Sequence, residues 1–460
     1  MKTFRLLAIT TLATITITAA WGNAEILPKI CESGKNANFT IEVTNYNGPM
    51  QDLRILYISQ DGKFLDGKYH HDRKAFEVLT PECTSGSKTL KLNNIKLNGE
   101  GIHTMQLAIK ANTKPVEWKV IGKIPVYSLQ PDLFALRPYK GDFHAHSKNS
   151  DGAGPGFSVF AYARRGGHDF MTLSDHRKYN TAIPEMEKVN ELNSGMLTIP
   201  GEEFHHGPTP LHSVSVNAKA GVCDWVENNK EEFDKMLEAK MKEVPQNELS
   251  EFDHKSVATA EVMYDIAREK AGAQLVIYSH PYWMPNGRYN APTPYNKTLL
   301  DRHKFDAIEC PNGTDVEQAM KVVADVKRLA LAGYDATVVN VSDTHNAEKE
   351  DFASNHTIVF AKNLNATDIC KAVRDGMCVA TIGKVNDKPK TKPLYIGKER
   401  LIPYSYFLSK YYFPKHDQIC NKQAKAMLKD LFGQGNAQTK TEIHDLRDQL
   451  TEYNKTIWAK

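Results

Sequence analysis

The segment Gly141-Asp142-Phe143-His144-Ala145-His146 places two histidines one residue apart, and Ser150-Asp151-Gly152 follows shortly after. Side chains alternate between faces along an extended strand, so residues i and i+2 project together. The imidazoles of His144 and His146 can therefore grip one metal ion. Asp151, in a Gly-containing turn, is close enough to add a carboxylate. Taken alone, the pair reads more readily as surface polar residues, and its weight depends on the rest of the chain. Four further segments supply metal-type side chains. The apolar run 169–174 ends in Asp175-His176, and 196–199 leads into Gly201-Glu202-Glu203. The run 274–279 ends in His280-Pro281, and 337–342 ends in Asp343-Thr344-His345, a second i, i+2 pair. His212 opens an alternating segment, 212–216. In a βα barrel, functional side chains gather at the carboxyl ends of the strands, and these residues fall there. His70, His254, His303 and His416 scatter without such a pattern. His205 and His206 read as loop neighbours of Glu203.

The elements that must hold these residues change in texture along the chain. Lys2 and Arg5 precede a short apolar run, Leu6 to Ala20, with small-residue cleavage sites near Ala20 and Ala24. Residues 1–24 therefore read as a secretory leader, which predicts a secreted or periplasmic protein. No later stretch is long and apolar enough to span a membrane. Residues 25–130 carry rough two-residue alternation broken by turn formers such as Asn47-Gly48 and Asp61-Gly62, which predicts a small β-sandwich. From 139 to 385, short apolar strands (169–174, 196–199, 274–279, 305–309, 337–342, 356–361) alternate with helices. Val316, Met320, Val323, Val326 and Ala330 make one helical stripe, and 256–270 behaves similarly. This alternation predicts an α/β fold with a mainly parallel sheet or barrel. Lys-rich residues 388–392 read as a linker into a helical tail, 390–460. There an aromatic cluster, Tyr404 to Phe413, precedes Ile443, Leu446, Leu450, Tyr453 and Ile457 at helical spacing.

At 460 residues the chain is long enough for two or three domains. A net charge of +3 is too balanced to imply a nucleic-acid partner. Seven cysteines without a Cys-x-x-Cys pair argue against a cysteine-based zinc site. Cys31 and Cys83 lie in one module and could pair in an oxidising compartment, with connectivity not readable from sequence.

Together these motifs resemble the PHP (polymerase and histidinol phosphatase) metallohydrolases, and most of all their CehA/McbA-type branch. The resemblance covers about 139–385. It rests on His144-Ala145-His146 with Ser150-Asp151-Gly152, Leu173-Ser174-Asp175-His176, Gly201-Glu202-Glu203, Ser279-His280-Pro281 and Ser342-Asp343-Thr344-His345. It implies a distorted (β/α)7 barrel, preceded here by the sandwich and followed by the tail. It also implies metal ligands at His144, His146, Asp151, His176, Glu203, His212, His280, Asp343 and His345. Glu203 is preferred over Glu202 because the family pattern is Gly, any residue, Glu. Histidine stands in some members where this chain has Asp151. Six imidazoles and three carboxylates without sulfur suit Zn, Mn or Fe better than Mg or Ca. Nine ligands are too many for one ion, so two or three divalent ions are expected. A hydroxide bridging two ions would then be the nucleophile. Asp343, His345 and Arg177 are the candidate catalytic residues. Arg177, with Lys178, follows His176 and could hold a phosphate, while Tyr282 and Trp283 could wall a pocket. The expected activity is hydrolysis of a small phosphorylated molecule. Ester, amide or carbamate hydrolysis is the alternative on the same centre. A non-catalytic, metal-stabilised binding module is the alternative from another class.

Overall fold

Short runs of β-branched and aromatic residues, such as Leu275-Val-Ile-Tyr278 and Thr337-Val-Val-Asn340, are buried along their whole length. Strands of this kind belong inside a sheet covered on both faces. In the computed structural model they do so. The model describes residues 24–59, 62–66, 68, 75–84, 86–110, 117–310, 316–385 and 388–460. The expected leader, apart from Ala24, and His70 lie outside the described residues.

The chain divides into two units. The first comprises the residues up to Leu129 and the terminal Trp458–Lys460. It is all β, with a four-stranded antiparallel sheet around Asn36–Val43 and Thr89–Lys96 and a five-stranded sheet around Gly101–Lys110 and Trp118–Leu129. Phe39, Ile41, Leu90 and Leu92 of the first sheet share a core with Ile55, Met105, Leu107 and Val126 of the second. That is the inner layer of a sandwich. The Cys31–Cys83 pair does not form, and all seven cysteines are free. Cys31 is buried with its Sγ toward Tyr127 O, and burial pushes its thiol up to about 12.

The second unit, Gln130–Ile457, holds a ten-stranded sheet. Its strands are β1 (Arg137–Asp142), β2 (Phe170–Leu173), β3 (Leu197–Phe204), β4 (Ser213–Val216), β5 (Leu275–Tyr278), β6 (Ala307–Cys310), β7 (Thr337–Asn340), β8 (Asn355–Ala361), β9 (Cys378–Val385) and β10 (Lys388–Gly397). The order is β7-β6-β5-β4-β3-β2-β1-β8-β9-β10. Strands β1 to β7 curl into a nearly closed barrel, and a parallel bridge between Ala145 and Thr344, just past β1 and β7, joins its two edges. Alternation sorts the side chains. Leu275 and Ile277 meet Phe170, Ile199, Val214, Ala307 and Val339 in one cluster, the barrel interior. Val276 and Tyr278 meet Val257, Val262, Met263 and Ile266 of the helix Glu251–Glu269 on the outside. Ser250 caps that helix by accepting from Asp253 N–H.

Three departures from the sequence reading have physical causes. Strand β4 is antiparallel to both neighbours, so the barrel is not uniformly parallel. The connection from Phe204 to Ser213 is too short for a crossover helix, and a return strand needs none. Strand β8 also runs antiparallel, against β1. The supposed linker 388–392 belongs to edge strand β10, paired through Val385↔Lys388 and Lys384↔Pro389. Lysines and prolines are tolerated at a sheet edge, where one side of the backbone is unpaired. The tail forms three helices, α1 (Leu401–Tyr411), α2 (Phe413–Leu431) and α3 (Ala437–Ile457). Ala426, Met427 and Ile443 pack with Val159, Phe160 and Leu173.

Gly201 shows how tightly β3 is seated. A Cβ there would lie 2.5 Å from Thr172 Cγ2 and 3.0 Å from Ser215 O. Gly201→Ala should therefore lower stability by about 1–3 kcal/mol through overpacking. Urea denaturation checks this, and an unchanged midpoint contradicts it.

Candidate metal centre

The backbone ladder continues past the strand ends and ties the functional segments together. Asp343 N–H donates to His144 O, and His146 N–H donates to Thr344 O, both at 2.9 Å. Ser174 N–H donates to Ala145 O, Glu203 N–H to Ser174 O and Arg177 N–H to Glu203 O, all at 3.0 Å. Segments from β1, β2, β3 and β7 thus sit in fixed register at one end of the barrel. His280 (φ 27°) and Asp343 (φ 48°) have left-handed backbone just after β5 and β7. That conformation costs about 1–2 kcal/mol, and here it turns each side chain toward the same point.

That point is Glu203, fully buried. Its Oε2 lies 3.1 Å from Nε2 of His144, 3.1 Å from Nε2 of His146 and 3.0 Å from Nδ1 of His176. Its Oε1 lies 2.8 Å from His212 Nδ1 and 3.2 Å from His280 Nε2. Asp343 Oδ1 is 3.0 Å from His146 Nε2 and 3.3 Å from His144 Nε2. Asp151 Oδ2 is 3.3 Å from His345 Nε2 and 3.7 Å from His176 Nε2. Three overlapping groups result: His144, His146, Glu203 and Asp343; His146, Asp151, His176 and His345; His176, Glu203 and His212. Within each group the ligand atoms lie within 4.8 Å of one another. All nine predicted ligands come together, with His280 beside the third group. Glu202 turns away and accepts from Val222 and Cys223 N–H.

The donor chemistry fits divalent metal ions. Glu203 Oε2, His176 Nδ1, His146 Nδ1 and His280 Nδ1 are buried without a hydrogen-bond partner. The first two are only 3.0 Å apart, so their lone pairs converge without pointing at each other. Orphaned buried polar atoms cost about 1–3 kcal/mol each, and a cation among them removes that cost.

A second layer of acids orients the first; the sequence reading named Asp175 only as part of its motif and gave Asp142 and Glu309 no role. Glu309 Oε1 is 2.9 Å from His144 Nδ1, which leaves Nε2 facing inward. The other oxygen of Glu309 accepts from His280 N–H. Asp142 accepts from the N–H groups of His144 and Ser342, joining the ends of β1 and β7. Asp175 accepts from Ser147 N–H, Ser147 Oγ and Ser150 Oγ, which fixes the turn carrying Asp151. The available signal was an isolated acid at the carboxyl end of an apolar strand. His205, in the loop after β3 as its neighbours suggested, reaches the site. Its ring stacks on His212 at 4.6 Å between centroids and meets His176 at 5.6 Å. His206 instead packs on Phe233. Arg177 is exposed, with NH2 2.5 Å from Glu227 Oε1. Tyr282 is buried and donates to Asp325, while Trp283 is exposed with its ring 5.6 Å from His280.

Burial opposes charge on His146, but the Asp343 and Glu203 carboxylates beside it outweigh that and hold the pKa up at about 9. His144 is held well above its ordinary value: burial opposes, and Glu203, Glu309 and Asp343 prevail. Burial likewise works against the Glu203 carboxylate, yet His144, His146 and His176 hold its pKa well below the usual range. Burial, His212 and His176 push His205 down to about 4.

No protein-family model and no curated protein matches this chain. Solved structures do show likeness. One is a two-domain protein from Bacteroides vulgatus containing a predicted PHP-like metal-dependent phosphoesterase, at 20% identity over 60% of this chain and 71% of that one, TM-score 0.39. Another is a metal-dependent phosphoesterase, so described, from Bifidobacterium adolescentis, at 16% identity over 51% and 94%, TM-score 0.33. A third is a lesion-specific endonuclease from Pyrococcus furiosus, at 12% identity over 69% and 91%, TM-score 0.32.

Two outcomes follow from this geometry. Glu309→Gln should weaken metal affinity about 10- to 100-fold with the fold intact, because it removes the charge behind His144; chelator competition measures it. The second concerns pH. The folded pKa of His146 lies above its ordinary 6.5. Its proton therefore stabilises the metal-free protein fully below about pH 6.5, and that contribution is lost as pH rises through about 9. Metal displaces such protons. The rise in melting temperature on adding Zn or Mn should accordingly be larger at the alkaline end of this window. A metal effect independent of pH contradicts the assignment.

Proposed function

We propose that this protein is a metal-dependent hydrolase of the PHP family that cleaves phosphoesters in small molecules. The observation that carries the reading is Glu203, a buried carboxylate whose two oxygens face five imidazoles in separate groups. In this reading His144, His146, Glu203 and Asp343 hold one ion, and Glu203 with His212 and His280 holds a second. Asp151, His176 and His345 hold a third. Bound divalent ions supply Lewis acidity and make water acidic enough to act near neutral pH.

The chain's own residues supply the rest. Glu203 spans the groups and keeps them at fixed spacing. Glu309 holds His144 with Nε2 inward. The side chains of Asp343 and His345 are 32% and 44% exposed, so both reach from the ligand groups to solvent, where a proton can be exchanged with substrate. Arg177 and Trp283 stand at the rim as an anion contact and an apolar wall. The preference for Zn, Mn or Fe follows from the imidazole-rich donor set. The leader at residues 1–24 directs the activity outside the cytoplasm, and N-terminal sequencing of exported protein tests that part.

One observation favours a second reading. The Arg177 guanidinium is already paired with Glu227, so a phosphate held there has to displace that carboxylate. Hydrolysis of an ester, amide or carbamate, in line with the CehA/McbA-type resemblance, needs no such displacement. A panel of phosphomonoesters, phosphodiesters, carboxyl esters and carbamates with metal-reconstituted protein separates the two. Turnover of none, with metal bound, supports a metal-stabilised binding module instead. His146→Ala should lose bound metal and hydrolysis together, and retained activity defeats the site assignment. Arg177→Ala should raise KM for a phosphorylated substrate about tenfold with little change in kcat. An unchanged KM removes Arg177 from the pocket.

A further inference from the structure

A second polar site lies in the same unit, away from the metal centre, between the sheet and the tail helices. Lys140 of β1, His356 of β8 and Thr381 of β9 line the floor of a cavity of about 230 Å³. His356 and Thr381 are direct register partners, so their side chains share one face. The walls include Phe413 and Asp417 of α2, and Pro414 is exposed at the mouth.

The floor is buried and rich in unused donors. The Lys140 side chain is 1% exposed, and its Nζ is 2.6 Å from Asp417 Oδ2. An ammonium has three donors, and one is spent there. His356 is 5% exposed, and neither ring nitrogen has a hydrogen-bond partner. Burial and Lys140 push its pKa far down against a backbone contact with Ala353, so the ring is neutral and carries one N–H. Thr381 Oγ1 is buried and unpartnered as well.

The surrounding charges do not cancel. Asp417 Oδ1 is 2.9 Å from His416 Nδ1, and His416 Nε2 is 3.0 Å from Asp169 Oδ1. Asp169 also faces Arg164 at 3.3 Å. Burial opposes charge on His416, but Asp169 outweighs it and holds the ring protonated. Three cations, Lys140, His416 and Arg164, therefore meet two carboxylates. Free donors and surplus positive charge suit one anionic group, and the Phe413 ring and Pro414 suit a short apolar body.

We propose that this cavity binds a small aliphatic monocarboxylate, with its carboxylate on Lys140, His356 and Thr381 and its alkyl chain along Phe413 and Pro414. The site is independent of the hydrolytic reading. The test is calorimetric titration of sodium butyrate into the full-length, metal-loaded protein, with sodium chloride and sodium phosphate titrated in parallel at matched ionic strength. Saturable one-site binding of butyrate is expected. His356→Phe, which fills the cavity, and Thr381→Val, which keeps its shape, should each weaken binding about tenfold or more. Metal content should stay unchanged in both. Absence of saturable butyrate binding overturns the proposal. Chloride or phosphate binding as tightly as butyrate overturns the carboxylate assignment, and full affinity in both variants overturns the location.

Discussion

Everything at the metal centre depends on one electrostatic constraint, the burial of the Glu203 carboxylate. An ion of that size loses several kcal/mol of hydration when it leaves water, even after the protein relaxes. Cations must replace that hydration, and the five imidazoles around Glu203 are arranged to carry them as protons or as metal ions. The imidazoles must then be aimed, so Glu309 stands behind His144. The aimed side chains must sit on something rigid, so the segments bearing them are hydrogen-bonded beyond the last regular strand residues. Barrel, second layer and turn strain all follow from keeping one negative charge in a dry place.

The residues gathered around Glu203 were legible in the sequence because their spacing is local. His144 and His146, like Asp343 and His345, share a face through two-residue spacing, and each of the other motifs follows an apolar run. The supporting acids were not legible. Asp142, Asp175 and Glu309 are single acids whose meaning depends on which N–H groups the fold brings to them. The contact of His205 with the site was hidden because nothing local says that β4 returns beside β3 and sets His212 against it. The antiparallel hand of β4 and β8 was hidden for a related reason. A buried strand reads the same in either direction, and only the length of its connections tells them apart. The edge strand β10 was misread because charge and proline mark linkers and sheet edges alike.

The two buried polar clusters on the sheet are built by different means. At the metal end, carboxylates and imidazoles are held by backbone ladders, with orphaned atoms left for ligands. On the side face covered by the tail, alternating charges run from Lys140 through Asp417, His416 and Asp169 to Arg164. Buried charge pairs are costly to assemble and more costly to break. Such a chain fixes where the tail helices dock more sharply than apolar contacts would, since oily surfaces tolerate sliding.

The bridge between Ala145 and Thr344 has a consequence in time as well as space. His146 and Asp343 meet across 197 residues of chain. Contacts of such separation form only after a large loop-closure entropy has been met, and proteins rich in them fold slowly. A polypeptide still emerging from the ribosome possesses His144 and His146 long before it possesses their partners. Until the last barrel strand is made, the early histidines are an incomplete chelate, open to any stray ion. The complete group of side chains exists only once the chain has been made through His345 and the barrel has closed.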